Sequence, residues 1–537
     1  MKNKSTVKWI YSNLKNFIGQ ILLVSVCNII LSLSLIYLAD LSSRIIDSGK
    51  NLNNKAILIG IILLGQVILQ LFSSVMTVKI TGLITIKLRQ KIFFDICGKE
   101  YAGIEKYHSG DFLNKMTNDV GQVAKGAVEL IPETCTVLTK IIAGLYAIIK
   151  HNYLLAVIIL AVGFLIPLLG RIFSKKYKYL HKEVVKTEGE ARSFYQECIE
   201  NLIVIKSFSA SNSVSKKASD IMEDNLKLRI KQRIFSSVMG LSLFLSFSLG
   251  YYGVILWAVS AGVSYGTLYY LLQIITILRS PLQNVSGIIP KFYSMTASAE
   301  RIMEISLISD ENSSENEIPE EFQSLSCSDL SFSYKDNAVL KNSSFTIEKN
   351  TVTLLKGESG CGKTTLFKIL LGLYSPASGT LKVNSKYDIG AQTRKLFSYV
   401  PQGNMIISGT IKDNITFLNK DIPEEKIIRA LKIAGIYDYI SSLPNGIETV
   451  LKERGQGLSE GQIQRLAIAR ALIYDAPVLL LDESTSALDK ETEQKILENI
   501  KNMTDKTVIF ITHRKAETLK PDKILLFKNG TIEERNA

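Results

Sequence analysis

Residues 357–364 have the sequence Gly-Glu-Ser-Gly-Cys-Gly-Lys-Thr, a glycine-rich loop of the form G-x-x-x-x-G-K-[ST]. The apolar run Val352-Thr-Leu-Leu-Lys precedes the loop and Thr365-Leu-Phe-Lys-Ile-Leu-Leu follows it, so the sequence predicts a strand, a loop and a helix. In this arrangement the glycines turn backbone N–H groups onto phosphates, the lysine adds a positive charge and the threonine hydroxyl can bind Mg²⁺. We therefore predict an ATP site with Mg²⁺, formed by Gly357, Glu358, Ser359, Gly360, Cys361, Gly362, Lys363, Thr364 and Thr365.

Two carboxylates follow a second apolar run, Val478-Leu-Leu-Leu-Asp-Glu. An apolar run without alternation is typical of a strand that is buried on both faces. Here Asp482 could hold Mg²⁺ through a water molecule, and Glu483 could act as the general base that polarises the attacking water. Two acids after a strand more often lie in a solvated loop. The glycine-rich loop in the same chain favours the catalytic interpretation.

Long apolar runs are concentrated in the first 290 residues of the 537-residue chain, and the remainder has the composition of a soluble α/β domain. A helix needs about 20 apolar residues to cross about 30 Å of hydrocarbon. The third run is short and contains Lys140, so its span is expected to begin earlier, near Val128. These lengths predict an all-α domain with six spans, at 17–38, 56–78, 128–149, 153–170, 236–260 and 265–289.

The net charge is +13, and much of the lysine and arginine lies between the apolar runs. Segments 79–133 and 171–235 are long and lysine-rich, so the positive-inside rule places them in the cytoplasm, with both chain ends and the ATP site. The C-terminal part is mixed in sign and has no basic cluster with interleaved aromatic residues, which argues against a nucleic-acid partner. The six cysteines and four histidines have no metal-ligand spacing. We predict a multi-pass protein in the lipid bilayer of the plasma membrane.

The two long segments are rich in Glu, Lys, Leu and Ile, which indicates helices that continue out of the membrane. Each has a short break where a helical hairpin could turn, at 107–111 and at 207–212. The acidic, non-periodic stretch 306–321 is predicted to be a linker between a transmembrane domain at 1–305 and an ATPase domain at 322–537. Polar residues inside the spans could bond neighbouring helices or line a cargo path, and the sequence leaves both open: Gln20, Asn28, Gln66, Gln70, Glu133, Lys140 and Gln273.

The order of motifs in the second half resembles the nucleotide-binding domain of ABC transporters. After the glycine-rich loop come Gln402 in Tyr-Val-Pro-Gln, Leu458-Ser-Glu-Gly-Gln, Asp482-Glu483, Ser486-Ala-Leu-Asp489 and His513. With an apolar half ahead of it, the chain is similar to half-transporters of the exporter type. Tyr107-His-Ser-Gly-Asp-Phe-Leu-Asn-Lys and Ala299-Glu-Arg-Ile resemble recurrent exporter segments. The resemblance implies a six-helix transmembrane domain with long cytoplasmic helix extensions, followed by an α/β P-loop ABC ATPase domain.

The resemblance also implies roles for residues outside the loop. Two nucleotide domains would pair head to tail, so that Ser459, Gly461 and Gln462 of one copy face the ATP held by the other, with Asp489 in the same site. Tyr334 would stack on adenine, and Gln402 would sense Mg²⁺ and water as a metal ligand and catalytic group. His513 would contact the γ-phosphate and orient Glu483. The breaks near 107–111 and 207–212 would be coupling helices that rest on the nucleotide domains.

The function implied is an ATP-driven exporter that works by alternating access and moves an amphipathic or hydrophobic peptide, drug or lipid. An importer on the same scaffold and a lipid flippase are alternatives, whereas the six apolar spans argue against a soluble ATPase. Glu460 and Lys452 stand where the family commonly has glycine, but Ser459 and Gly461 are retained. Because the catalytic set is complete, the resemblance favours a homodimer over pairing with a related half-transporter.

Overall fold

The computed structural model describes residues 2–48, 52–150, 153–311, 319, 321–335, 337–403, 406–452, 455, 457–512 and 521–536. It divides into two units with different secondary structure. The helical unit comprises Met1–Asp95 and Ser109–Leu307, and the sheet unit comprises Ile96–His108 and Ile308–Ala537. The predicted linker at 306–321 is described only in part, because 312–318 and 320 lie outside the described residues.

The helical unit is built from long helices, as the apolar runs predict. The helix α3, Leu52–Cys97, has 46 residues, and α9, Ser211–Ser260, has 50, so α9 extends about 75 Å, well beyond the thickness of a bilayer. The helices in chain order are α1 Lys2–Leu14, α2 Ile18–Ser48, α3 Leu52–Cys97, α4 Tyr101–Ile104, α5 Ser109–Asn114, α6 Val120–Ile149, α7 Tyr153–Glu200, α8 Leu202–Ser207, α9 Ser211–Ser260 and α10 Tyr265–Met303. Of these, α4 belongs to the sheet unit.

Within the described residues, three helical segments are long and apolar enough to cross a membrane, at Ser5–Ser48, Leu52–Cys97 and Ser109–Ile149, and Ser248–Ser260 is a shorter apolar helix. The predicted spans 17–38, 56–78 and 128–149 lie inside the three long segments. The predicted span 265–289 lies inside α10. The spans predicted at 153–170 and 236–260 fall on α7 and α9, where many side chains lie outside the described part of the chain.

Helices α6 and α10 pack closely along their length. A Cβ atom on Gly144 of α6 would lie 2.7 Å from a methyl carbon of Leu278 on α10, so glycine permits the close approach. Near the start of α6, Asp119 accepts hydrogen bonds from Arg301 Nε at 3.0 Å and Nη2 at 2.5 Å. Lys115 pairs with Glu304 at 2.8 Å. A π-helical turn, Lys115–Asp119, presents both residues to the end of α10.

The sheet unit contains a six-stranded sheet in the order β12-β11-β3-β10-β9-β6 and a four-stranded antiparallel sheet in the order β2-β1-β4-β5. In the larger sheet the strands from β11 to β6 run parallel, and β12 is antiparallel. A two-stranded pair, β7-β8, completes the strands. Their bounds are β1 Ser324–Tyr334, β2 Asn337–Glu348, β3 Val352–Lys356, β4 Ser378–Val383, β5 Tyr387–Asp388, β6 Phe397–Val400, β7 Gly409–Thr410, β8 Val450–Leu451, β9 Val478–Asp482, β10 Thr507–Ile511, β11 Lys523–Lys528 and β12 Thr531–Asn536.

The two apolar strands that the sequence predicts are each followed by a helix, β3 by α11, Lys363–Leu370, and β9 by α16, Lys490–Lys501. Every residue of β9 and β10 is buried, as expected of central strands with both faces covered. Besides α4, the described helices of this unit are α11 Lys363–Leu370, α12 Ile411–Thr416, α13 Glu424–Ile433, α14 Tyr437–Ser442, α15 Glu460–Tyr474 and α16 Lys490–Lys501. The glycine-rich loop joins β3 to α11, and Asp482 ends β9. Both therefore lie at the carboxyl edge of the sheet, where ligands bind in open α/β folds.

Both predicted helix breaks are present, and only the first is shifted. The first falls at 105–108 between α4 and α5, slightly before the predicted 107–111, and the second at 208–210 between α8 and α9. The segment 96–108 belongs to the sheet unit rather than to the helices on either side of it. It is joined to residues 308–311 by backbone hydrogen bonds from Glu100 N to Ser309 O (3.0 Å) and from Glu311 N to Gly98 O (2.9 Å).

Candidate functional site

The glycine-rich loop wraps around the amino group of Lys363. Gly362 precedes α11 with φ of 108°, and a Cβ atom there would lie 2.5 Å from Val339 Cγ1, so the position requires glycine. The Lys363 side chain is almost completely buried, and Nζ donates to the carbonyl oxygens of Gly357 and Glu358, both at 2.9 Å. Cys361 Sγ lies 3.9 Å from the same nitrogen. The loop therefore holds one positive charge at the N-terminus of α11, an arrangement suited to phosphate.

Asp482 lies between two hydroxyl groups and has no exposed surface. Thr364 Oγ1 donates to its Oδ1 at 3.3 Å, and the Tyr399 hydroxyl donates to its Oδ2 at 3.2 Å. Burial raises the pKa of the Asp482 carboxyl, although both hydroxyl hydrogen bonds oppose the shift. Burial and the neighbouring Asp482 carboxylate likewise raise the pKa of Tyr399. The result is a buried carboxylate whose negative charge is only partly compensated.

Glu483 follows directly and has an unusual backbone conformation. Its φ is +48°, in the left-handed region that residues other than glycine seldom adopt. Its N–H donates to Ile511 O at the end of β10 (3.1 Å), which fixes the main chain across the sheet edge. Gln402 Nε2 donates to Glu483 Oε2 at 2.8 Å. Strained backbone of this kind is often found at active sites, where the surrounding structure enforces it.

The segment Leu458-Ser-Glu-Gly-Gln forms the start of α15. Ser459 caps the helix: its Oγ accepts from Gln462 N at 3.2 Å, and Gln462 Oε1 accepts from Ser459 N at 2.7 Å. Gln462, predicted to contact ATP, thus has its side chain in a capping box. A Cβ atom on Gly461 would lie 3.0 Å from Ala487 O, so this helix start lies against the loop after Glu483.

Asp489 caps the next helix, α16. Its Oδ1 accepts from Thr492 N at 3.0 Å, and this hydrogen bond lowers the pKa of the carboxyl. Gln464 of α15 connects the two helix starts, because its Nε2 donates to Ser486 Oγ at 3.1 Å and its Oε1 accepts from Ala487 N at 3.0 Å. Ser459 and Asp489 are therefore held on neighbouring helix N-termini.

Tyr334, the predicted adenine contact, is half-buried in an aromatic cluster at the end of β1. Its ring lies edge-on to Phe332 at 4.9 Å and to Tyr374 at 5.3 Å between centroids. Its hydroxyl is 3.5 Å from Thr365 Oγ1. The cluster therefore adjoins the first turn of α11, beside the glycine-rich loop.

Many of the predicted site residues lie together at one edge of the sheet. They are the glycine-rich loop, Asp482, Glu483 and Gln402. Among the described residues, no hydrogen bond joins Ser459 or Gln462 to the glycine-rich loop of the same chain. The predicted residue His513 lies outside the described residues, in the gap between Thr512 and residue 521. Sequence reasoning missed Tyr399. The available signal was its position on a strand three residues before Gln402 in Tyr-Val-Pro-Gln.

Comparison with known proteins gives consistent matches along the chain. The family described as "ABC transporter transmembrane region" matches residues 17–282, and the family described as "ABC transporter" matches residues 340–486. An export ATP-binding/permease protein of Rickettsia bellii is 30% identical over 97% of this chain and 94% of its own length. An ATP-dependent lipid A-core flippase of Mannheimia succiniciproducens is 29% identical over 90% of this chain and 85% of its own.

The fold is also that of a solved structure. A bacterial Atm1-family ABC exporter with ATP bound superposes with a TM-score of 0.81 at 20% identity, over 97% of this chain and 95% of that one. The predicted fold class, a helical transmembrane domain followed by an α/β ATPase domain, is therefore confirmed.

Proposed function

Because the chain belongs to the ABC transporter family, as a half-transporter of the exporter type, we propose that two copies form a dimer that exports an amphipathic or hydrophobic cargo across the plasma membrane. Membership of the family makes the chain a membrane protein that binds ATP and couples its hydrolysis to transport. Both chain ends and the sheet unit are assigned to the cytoplasm by the positive-inside argument.

The observation that carries the proposed chemistry is the pair of contacts at the end of β9, Thr364 to Asp482 and Gln402 to Glu483. Hydroxyl, carboxylate and amide oxygens are the hard ligands that Mg²⁺ prefers, so Thr364, Asp482 and Gln402 fit a magnesium ion. When bound, the ion would neutralise charge on the β- and γ-phosphates. Lys363 and the loop N–H groups would hold the same phosphates.

In this proposal Glu483 is the general base that polarises the attacking water. Gln402 donates to one of its carboxylate oxygens, which orients the group, and the backbone bond to Ile511 fixes its position at the sheet edge. His513 is assigned to the γ-phosphate and to the orientation of Glu483. Tyr334 is assigned to adenine, since aromatic stacking is favourable with any base.

The dimer supplies the second half of each ATP site. α15 presents a capped N-terminus, whose dipole favours an anion, but this N-terminus is not bonded to its own glycine-rich loop within the described residues. We assign Ser459, Gly461, Gln462 and Asp489 to the ATP held by a partner copy. The complete catalytic set in one sequence favours a homodimer over a related half-transporter as partner.

A lipid flippase is the second candidate, because two curated relatives are named ATP-dependent lipid A-core flippases, with identities of 29% and 28%. Flipping and export use the same ATP chemistry and differ in where the cargo leaves the protein. An importer on the same scaffold would move cargo in the opposite direction. The direction of cargo movement is therefore measured in inside-out membrane vesicles. ATP-dependent accumulation of cargo inside the vesicles means export, and ATP-dependent loss of cargo means import. Transfer of labelled lipid between the leaflets means flipping.

The catalytic assignment is tested with Glu483→Gln, and Glu425→Gln on the exposed face of α13 is the matched control. We expect Glu483→Gln to bind ATP normally but to hydrolyse it at least about 100-fold more slowly, as loss of a general base requires. The control should hydrolyse ATP at the wild-type rate. Hydrolysis by Glu483→Gln within threefold of wild type would show that another group is the base.

A further inference from the structure

A cavity of about 350 Å³ lies within the helical unit. Side chains from α2, α3, α6 and α10 line it, and they combine apolar groups with several charges. On α6 the lining residues Glu129, Glu133, Thr136 and Lys140 recur at spacings of four, three and four, so they share one face of that helix. The cavity volume is at the lower end of the range that small-molecule sites occupy, about 300–1,000 Å³.

At one end of the cavity the charges are paired. Lys291 of α10 lies 2.7 Å from Glu133 Oε2 and 3.6 Å from Glu129 Oε2. The other oxygen of Glu129 lies 4.0 Å from the exposed Lys125, which is outside the cavity. The charges of the two carboxylates and the two ammonium groups therefore cancel, so this end of the cavity does not require a charged ligand.

The other end contains Lys140, which is half-buried. Among the described residues it makes no hydrogen bond and no ion pair. It lies about 10 Å along the axis from Glu133, at about 1.5 Å per residue, and about 14 Å from the end of α6 at Ile149. A lysine side chain reaches about 6 Å, so it cannot extend its amine to that end of the helix.

An unpaired ammonium group within a membrane span is costly, and such groups usually mark a substrate or ion path. Two further features of the cavity wall favour a ligand with a polar group. Pro132 and Pro281 line the cavity and interrupt the hydrogen bonding of α6 and α10, because proline has no N–H to donate. Thr136 and Asn28 add further polar groups to its wall.

We propose that this cavity is a binding site for an anionic amphiphile, with its acidic group on Lys140 and its apolar part against Val24, Val128 and Val137. The inference rests on the proposed function, since it gives the chemical class of the cargo. The acidic group is a carboxylate or a phosphate, because either one neutralises an ammonium with charge-assisted hydrogen bonds.

Three peptides of the same apolar body test the charge requirement: N-acetyl-trileucine, which is anionic, its neutral C-terminal amide, and the cationic trileucine amide. Binding of each tritiated peptide is measured to the full-length protein in phosphatidylcholine nanodiscs. We expect the anionic peptide to bind at least about tenfold more tightly than the neutral one, the effect of one charged hydrogen bond. Equal affinities for all three peptides would overturn the proposal.

Substitutions of Lys140 test whether this residue causes the preference for the anionic peptide. Lys140→Met should remove the preference for the anionic peptide, and Lys140→Glu should transfer the preference to the cationic peptide, a gain that misfolding cannot produce. Lys150→Met, at the exposed end of α6, is the matched control and should behave as wild type. An unchanged preference in Lys140→Met would overturn the assignment.

A second set of nanodiscs, which contain phosphatidylglycerol, distinguishes an anionic lipid from a soluble amphiphile as the ligand. Competition by this lipid would identify an anionic lipid headgroup as the occupant, and its absence would identify a soluble amphiphile, both within the proposed class. ATP hydrolysis is measured in the same samples. Normal hydrolysis without a charge preference would reject only the anionic site, whereas absence of hydrolysis in wild type would reject the proposed function.

Discussion

Asp482 is a carboxyl group without exposed surface, and its burial is unfavourable in the absence of a cation. Thr364 and Tyr399 each donate one hydrogen bond to it, yet burial still raises its pKa. A carboxyl whose pKa is raised by folding favours the protonated form in the folded state. Its ionisation therefore lowers the free energy of unfolding at every pH above its ordinary pKa of 3.8. This cost is what the proposed magnesium site would require of the empty protein.

We predict that Asp482→Asn abolishes Mg²⁺-dependent ATP hydrolysis but raises the melting temperature of the nucleotide-free protein at pH 7 by about 2–4 °C, the shift that about 1 kcal/mol gives in a domain of this size. The amide has the same shape and avoids the buried charge. Differential scanning fluorimetry without Mg²⁺ measures the effect, with the exposed Asp421→Asn as control. Mg²⁺ with ATP should stabilise wild type more than the variant. A lower melting temperature for Asp482→Asn would show that the carboxylate stabilises the empty site.

At the residue scale, the sequence predicted the groups whose positions follow from local chain geometry. The glycine-rich loop and Asp482 each follow a buried strand directly, so their place at the sheet edge was predictable. The Tyr399 hydroxyl was not, because its contact with Asp482 depends on the pairing of β6 with β9, where Tyr399 is opposite Leu480. The assignment of Gln462 to ATP stays a prediction, and within this chain its side chain caps α15. The role of His513 stays a prediction.

Among the elements, the segment 96–108 is tied to the helix that follows the glycine-rich loop. Glu105 Oε1 lies 3.1 Å from Lys368 Nζ of α11, and the Tyr374 hydroxyl donates to the other carboxylate oxygen. The ring of Tyr101 lies edge-on to Tyr374 at 5.9 Å. Tyr374 in turn contacts Tyr334, so a continuous set of side chains connects this segment to the predicted adenine contact. A shift of the segment would therefore reach the ATP site directly.

We predict that Glu105→Ala makes the backbone amides of 99–105 exchange with deuterium about fivefold faster, since loss of about 1 kcal/mol changes an opening equilibrium by about that factor. Hydrogen exchange with mass spectrometry measures it, and the amides of β9 and β10 should not change. Lys106→Met, an exposed neighbour in the same segment, is the control. Equal exchange in Glu105→Ala and wild type would show that the backbone bonds to 309–311 suffice to hold the segment.

Element positions were predictable from the sequence to the extent that they depend on apolar length and local breaks. The long helices and both breaks follow from composition, and only the first break was misplaced, by about two residues. The sequence pattern could not predict that 96–108 belongs to the sheet unit, because this depends on contacts with Lys368 and Tyr374 far along the chain. Contacts between residues distant in sequence leave no periodic pattern.

For the whole molecule, the central question is whether one chain can complete an ATP site. The glycine-rich loop with Asp482 and Glu483 forms one cluster, and the capped start of α15 forms another, without a hydrogen bond between Ser459 and the loop among the described residues. Closed two-fold dimers place the same pair of surfaces in contact twice. If the loop of one copy faces Ser459 of the other, each dimer has two sites and each site needs both copies.

This arrangement predicts complementation between two inactive variants. Lys363→Ala removes the charge that holds phosphate, whereas Ser459→Asp keeps a good helix cap but places a negative charge where the γ-phosphate would bind. Each variant alone should hydrolyse ATP at least about 100-fold more slowly than wild type. In a random mixture about half of the dimers are mixed, each with one intact and one doubly defective site, so about a quarter of all sites should be intact.

The measurement is the ATPase rate of co-expressed variants, purified through two different tags so that only mixed dimers are assayed. Mixed dimers should hydrolyse ATP if one intact site is sufficient, and melting temperatures of each variant show that folding is unaffected. In the control pair, one chain carries both substitutions and the other chain is wild type. This pair also has one intact loop and one intact Ser459, but both are on the same chain. Activity in the control pair alone would mean that each chain completes its own site, whereas activity in the complementing pair alone requires a site shared head to tail.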